Sequence, residues 1–385
     1  MKKLVYLIII LLLFIYCGPK QEEIERISED GVEVVINHLK PYKVKGEPST
    51  LSLEELFIID TEKEALAKVG LGEFAGIEVD SSGNIYFWTQ DRTEKYIFKF
   101  DRDGNFLKSF GRQGQGPGEL QFITSLYINH QDEITITDQR RTKFIMLDLE
   151  GNLIEEKTIS TYNFMVAPLS NDNYLASFYE YTPEAEFNHI LMALYNSEFE
   201  KIKELFRIKR PNIRTTNSID VALHGSIVDI TQKNIFLGHS QKGYEIWVFD
   251  LEGNLVRKIR KEYEPVPVTE EFKENVMKRY ENASEAIRNK LYFPKNQPPF
   301  QFGFVDDEGR IFMMTHERGE KPNEFKYDIF NLDGIFIGRT SLENFGQYGT
   351  SDAPLYAAAT KGRLYCVRQK DSGFKELAVY KIKWE

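Results

Sequence analysis

Residues 100–120 read Phe-Asp-Arg-Asp-Gly-Asn-Phe-Leu-Lys-Ser-Phe-Gly-Arg-Gln-Gly-Gln-Gly-Pro-Gly-Glu-Leu, and the rest of the chain repeats their first half. Residues 101–105 form a hairpin turn, because Gly104 and Asn105 accept the backbone reversal that a two-strand turn demands. The flanking Ile97, Phe98, Phe100, Phe106, Leu107 and Phe110 suit strands. The same phrase returns as Leu-Asp-Leu-Glu-Gly-Asn-Leu at 147–153, as Phe-Asp-Leu-Glu-Gly-Asn-Leu at 249–255 and, worn, as Phe-Asn-Leu-Asp-Gly-Ile-Phe at 330–336.

A unit that recurs roughly every 40 to 50 residues, each copy one small sheet that can bury its faces only against its neighbours, implies an all-β fold, a β-propeller. Two kinds of turn can be counted. Turns joining the inner two strands fall at 80–86, 129–134, 170–175, 231–236, 306–312 and 360–365; turns joining the outer two strands fall at the four places above and, without glycine, at 195–199. Six inner turns against five outer ones leave the last repeat a strand short. Its fourth strand has to come from the N-terminal side, so the expected donor is residues 56–60, with 32–36 as a second candidate. A helical insertion is expected between the fourth and fifth blades, about residues 264–299. There Thr269 is placed as an N-cap, Glu270 and Glu271 sit in the first turn, and Phe272, Val276 and Tyr280 recur at helical spacing.

The motif at 100–119, strand, Asp-x-x-Gly-Asn, strand, Gly-Arg-x-Gly-x-Gly-Pro-Gly-Glu, resembles the NHL-type repeat and, more closely, a family of six-bladed β-propeller lipoproteins of bacterial envelopes. The resemblance covers roughly residues 53–384 and implies fold and anchoring rather than an activity. The N-terminus agrees with it. Lys2 and Lys3 precede an apolar run, residues 4–16, too short for the about 20 residues a membrane span needs, and Cys17 follows directly. This resembles a bacterial lipoprotein signal whose cysteine is lipidated, with Tyr16 where that pattern has a small residue; ordinary cleavage nearby and an uncleaved anchor are the alternatives. The expected organisation is therefore a signal over 1–17, a tether over 18–50 and a propeller over 51–385. Only Cys366 is left, so no intramolecular disulfide is expected.

With 49 Lys and Arg against 59 Asp and Glu, the formal charge is −10, and no basic stripe offsets it, which argues against a nucleic-acid partner. The glycine-rich 111–118 lacks the Lys-Ser/Thr of a phosphate-binding loop and reads as a connection between blades. No Gly-x-Ser-x-Gly elbow, His-Glu-x-x-His or paired Cys-x-x-Cys occurs, so no catalytic residue, metal or cofactor is assigned. His224, His239 and His316 are placed so that all three could share one face. Arg112, Arg140, Arg141 and Arg318 are candidates for the mouth of the ring, where they would favour an anionic ligand. The stripe Phe272, Val276, Tyr280 is the candidate partner-binding surface. The expectation is thus a lipid-anchored cell-envelope scaffold, periplasmic or surface-facing, for a protein, peptide or glycan. The alternative is an NHL- or lactonase-like propeller enzyme, a hydrolase or lyase with an axial site.

Overall fold

The computed structural model describes residues 24–90, 94–138, 142–159, 163–222, 224–321, 324–343, 357–370 and 372–385. Six antiparallel four-stranded units follow one another along the chain. Numbered from the innermost strand outward, blade 1 is Gly76–Val79, Ile85–Trp88, Lys95–Phe100 and Phe106–Arg112; blade 2 runs from Ile123–Ile128 to Leu153–Thr158; blade 3 runs from Asn163–Pro168 to Lys201–Pro211. Blade 4 is Ser226–Ile230, Asn234–His239, Glu245–Asp250 and Leu255–Lys261, and blade 5 is Phe302–Val305, Ile311–Arg318, Glu324–Phe330 and Phe336–Glu343. Blade 6 has Ala357–Thr360, Arg363–Gln369 and Lys375–Trp384 from the C-terminus, and Leu51–Asp60 pairs antiparallel with the last of these, Glu376 opposite Asp60 and Trp384 opposite Leu51. The ring is closed by the two ends of the chain, as the missing outer turn required.

The second candidate donor does something else. Glu25–Glu29 and Val32–Asn37 form a hairpin, and Val32–Asn37 lies parallel to the outermost strand of blade 4, Glu33 opposite Arg257 and Asn37 opposite Lys261. Residues 38–50 then cross blade 5, where the Tyr42 N–H donates to the Phe336 carbonyl. Residues 24–50 are therefore part of the packed body and not the tether expected for 18–50. The reason lies in Val34 and Val35, fully buried on opposite faces of the strand, and in Glu29 and Glu33, which pair with Lys258, Arg260 and Arg257.

The repeated turn owes its sequence to two constraints. Its first residue accepts hydrogen bonds from the backbone N–H groups two and four positions on. Asp101 takes those of Asp103 and Asn105 at 2.9 and 2.8 Å, and Asp148, Asn196 and Asn331 do likewise. Its fourth residue has positive φ and faces the outer strand of the preceding blade: a Cβ on Gly104 would meet the Phe57 ring at 2.7 Å and one on Gly151 the Phe110 ring at 2.4 Å. Blade 3 is the exception that fits the rule. Phe199 takes the glycine position at φ 58°, and its ring stacks on Tyr174 at 4.9 Å and meets Phe144 edge-on at 5.2 Å, so local strain is offset by aromatic packing between blades 2 and 3. The core accordingly lies between blades, in clusters such as Phe87, Phe98, Phe100, Tyr365 and Val379 between blades 1 and 6.

In each blade the turns between first and second and between third and fourth strands lie on one side, here the turn face. The loops between second and third strands and the blade-to-blade connections lie on the other, the loop face. The expected insert is on the loop face. Thr269 caps the helix Glu270–Arg279 by accepting the Phe272 N–H at 3.1 Å, a short helix Glu285–Arg288 follows, and Leu291–Tyr292 pairs parallel with Ile219–Asp220.

Candidate functional site

Three histidines meet on the loop face at the join of blades 4 and 5. His224 precedes the first strand of blade 4, His239 ends its second strand and His316 stands near the end of the second strand of blade 5. The first strands of these two blades touch, Ser226 opposite Phe302 and Ile227 opposite Gly303, so their loops start close together. That approach demands glycine at 225, where a Cβ would lie 2.3 Å from the Gln301 backbone.

The rings of His224 and His239 stack with centroids 5.8 Å apart. His224 Nδ1 lies 3.1 Å from the Ser240 hydroxyl, which also accepts the Gly225 N–H, and Nε2 lies 3.3 Å from Asp220 Oδ2. The Asp220 carboxylate can only accept, so Nε2 donates to it, and in that tautomer Nδ1 accepts from the Ser240 hydroxyl. Burial works against the Asp220 carboxylate, yet the hydrogen bonds from His224 and the Ala222 N–H keep it below its ordinary range.

His239 is 2% exposed, and its Nδ1 accepts the Gln241 N–H at 3.3 Å, which leaves the proton on Nε2. Burial, Arg210, His224 and Lys242 together hold it neutral, lowering its pKa to about 3. His316 is lowered to about 3 as well, by burial and then by Arg318 and His224. Among the described residues, the Nε2 atoms of both, and Oε1 of Gln297 in the insert, are buried without a hydrogen-bond partner. The sequence thus placed the three imidazoles on one face, and their convergence depends on contact between two inner strands.

The other sequence candidates separate. Arg112 sits on the outermost strand of blade 1 and pairs with Glu119, whose Oε2 accepts the Gly116 N–H at 2.7 Å; it braces the glycine-rich connection. Arg318 lies over the Phe325 ring at 4.2 Å, on the loop face. Arg140, Arg141 and Cys17 lie outside the described residues. In the insert helix Val276 is 1% exposed and Phe272 and Tyr280 are half-buried, so the stripe is turned inward, and Val276 offers no surface to a partner. That correction follows from amphipathicity itself, since an apolar stripe on a surface helix is what the helix buries.

Sequence reading missed two axial carboxylates. Glu78 and Asp229 stand on the innermost strands of blades 1 and 4, on opposite sides of the ring. Asp229 accepts the Val305 and Ile230 N–H groups at 2.7 Å each, capping an open strand edge, while burial raises its pKa to about 6. Burial, then the Asp229 charge, raises Glu78 to about 8. The available signal was a charged residue inside each of two short apolar strands. Among the described residues, no group of three or more His, Cys, Asp and Glu is arranged to hold a metal ion.

Residues 71–228 match the family DUF5128, described as a 6-bladed beta-propeller. The chain is a six-bladed β-propeller. The propeller is also similar to a Bacteroides fragilis protein described as exported, at 12% identity and TM-score 0.54, over 91% of this chain and 99% of that one. A DUF4221-family protein of Bacteroides vulgatus aligns at 12% identity and TM-score 0.52, over 89% of this chain and 100% of that one. At such identity both likenesses concern the fold alone. No curated protein matches the propeller.

Proposed function

We propose that this propeller is a lipid-anchored binding scaffold of the cell envelope, holding a protein, peptide or glycan on its loop face beside the histidines of blades 4 and 5. The observation that carries the reading is the pair of neutral imidazoles, His239 and His316, whose Nε2 atoms are buried without partners among the described residues, next to an insert the ring does not need for closure. Unsatisfied buried polar atoms cost about 1–3 kcal/mol each and concentrate where a ligand or water completes them. The cations Arg210, Lys242 and Arg318 around them favour a ligand with anionic or hydrogen-bond-accepting groups.

Glu78 supports a second reading, an enzyme of the hydrolase or lyase kind. A carboxyl with a pKa of about 8 exchanges protons at neutral pH and stands on the ring axis.

The two readings part in one experiment. Residues 265–296 are replaced by a short Gly/Ser linker, and binding to purified envelope glycan and protein fractions is compared with the parent chain while circular dichroism and melting monitor the ring. A folded ring that no longer binds supports the scaffold. Binding that survives places the site elsewhere, with Glu78→Gln as the next variant.

A further inference from the structure

The path of the chain into the ring sets which face lies nearest the anchor. Val32–Asn37 runs parallel to Leu255–Lys261, from the turn face to the loop face, and Glu25–Glu29 runs back against it, Glu25 opposite Ile36. The first described residue, Ile24, therefore lies at the loop-face end of blade 4. Around it His38 sits 3.2 Å from Glu262 and 4.0 Å from Glu25, and Asn37 donates to the Gly334 carbonyl at 2.9 Å and accepts the Phe336 N–H at 2.8 Å. Asn37 is wholly buried and ties the hairpin to blade 5 as well as to blade 4. The exit point is part of the rigid body.

From Cys17 to Ile24 there are seven Cα-to-Cα steps, which span at most about 24 Å even when fully extended. The strands of blade 4, five to seven residues long, set the turn face roughly 20 Å behind the loop face. A chain anchored at Cys17 thus keeps the loop-face rim of blade 4 within about 24 Å of the lipid headgroups, and the turn face touches them only with these steps drawn out fully along the side of the blade.

An independent feature points the same way. Among the described residues the exposed large aromatic side chains, Tyr181, Tyr263, Tyr292 and Phe374, exposed by 38–54%, all lie on the loop face or in its insert, beside Leu39, Ile213 and Met277, whereas the exposed apolar residues of the turn-face end, such as Leu107 and Leu332, are aliphatic. Lys242, Lys278, Arg279, Arg288 and Lys290 are interspersed with them, as are the exposed Glu264, Glu270, Glu271, Glu274, Glu281 and Glu285. Tyrosine and aliphatic side chains suit a bilayer interface, where rings sit at headgroup depth.

We propose that the loop face, with the insert of residues 264–299, is the membrane-facing surface and rests on the lipid headgroups. This rests on the anchored-scaffold reading above and narrows it. A ligand at the His239 and His316 site is then held between ring and bilayer, so it is itself a membrane component or a chain emerging from one.

The test uses the full chain in vesicles of phosphatidylethanolamine and phosphatidylglycerol carrying a nitroxide on the headgroup. Lys278→Cys on the insert and Glu252→Cys on the turn face, both exposed positions, each receive a fluorophore, while the buried Cys366 escapes labelling. Expected is quenching at 278 at least twofold stronger than at 252, reduced by half or more in a Met277→Glu, Tyr292→Glu background that still floats with the vesicles. Equal quenching at the two positions, or stronger quenching at 252, overturns the orientation while leaving the anchor intact. Failure of the labelled chain to float overturns anchor and orientation together. Flotation of Cys17→Ser with 278 still quenched removes the anchor alone and keeps the face.

Discussion

Replacing Glu78 by Gln makes the axial carboxyl measurable. In the folded chain burial and Asp229 raise its pKa from 4.5 to about 8. A raised folded value means that the folded state keeps a proton the unfolded chain has lost, so the group's contribution is fully present below about pH 4.5 and fades as pH rises to about 8. At about 1.4 kcal/mol per pH unit, the span of about 3.5 units sets an upper limit near 5 kcal/mol. Glu78 is half-buried, so solvent along the axis screens part of this, and about 2 kcal/mol is expected. Urea unfolding of parent and Glu78→Gln at intervals from pH 4.5 to 9 isolates the effect, because every other group titrates in both. The curves should coincide near pH 4.5, and Glu78→Gln should gain about 2 kcal/mol over the parent by pH 8.5. Asp229→Asn should move the midpoint of the parent's loss toward lower pH, since it removes the facing charge. Parallel curves across the whole range would refute both the raised pKa and the axial placement.

Two further outcomes follow from the closure and from the hairpin. Deleting residues 51–60 bares Leu377, Ala378 and Val379, and deleting 375–385 removes that strand and leaves 51–60, with Ile59, without a partner, so either deletion should abolish cooperative melting; an unchanged Tm would disprove the pairing. Asn37→Ala leaves the Gly334 carbonyl and the Phe336 N–H buried without partners and should lower urea stability by about 2–4 kcal/mol with the ring still formed, whereas a change under about 0.5 kcal/mol would show that the hairpin does not clamp blade 5.

Much of the ring was legible because its information is local. The Asx-x-x-Gly phrase is dictated by hydrogen bonds spanning four residues, and wherever it stands it ends one strand and starts the next. Counting turns even exposed the missing strand, since a blade short of an edge must be completed. The histidines were partly legible for the same reason, because a position before a first strand or at the end of a second strand assigns a face.

What the sequence alone left undecided depends on which surfaces meet. Val32–Asn37 has the pattern of a strand that would fit either open edge, and only its pairing with Arg257–Lys261 chooses blade 4. Glu78 and Asp229 are 151 residues apart, each an isolated charge in a short strand, and nothing local says that a closed ring sets them on opposite sides of one axis. The insert stripe was read correctly as amphipathic, but an apolar stripe marks the side a helix buries without naming what buries it; in the folded chain Val276 is covered by the protein itself. Repeated turns fix a blade through short-range hydrogen bonds, whereas closure, axial charges and the face of the insert are set by contacts between residues far apart in the chain, and those exist only once the ring is complete.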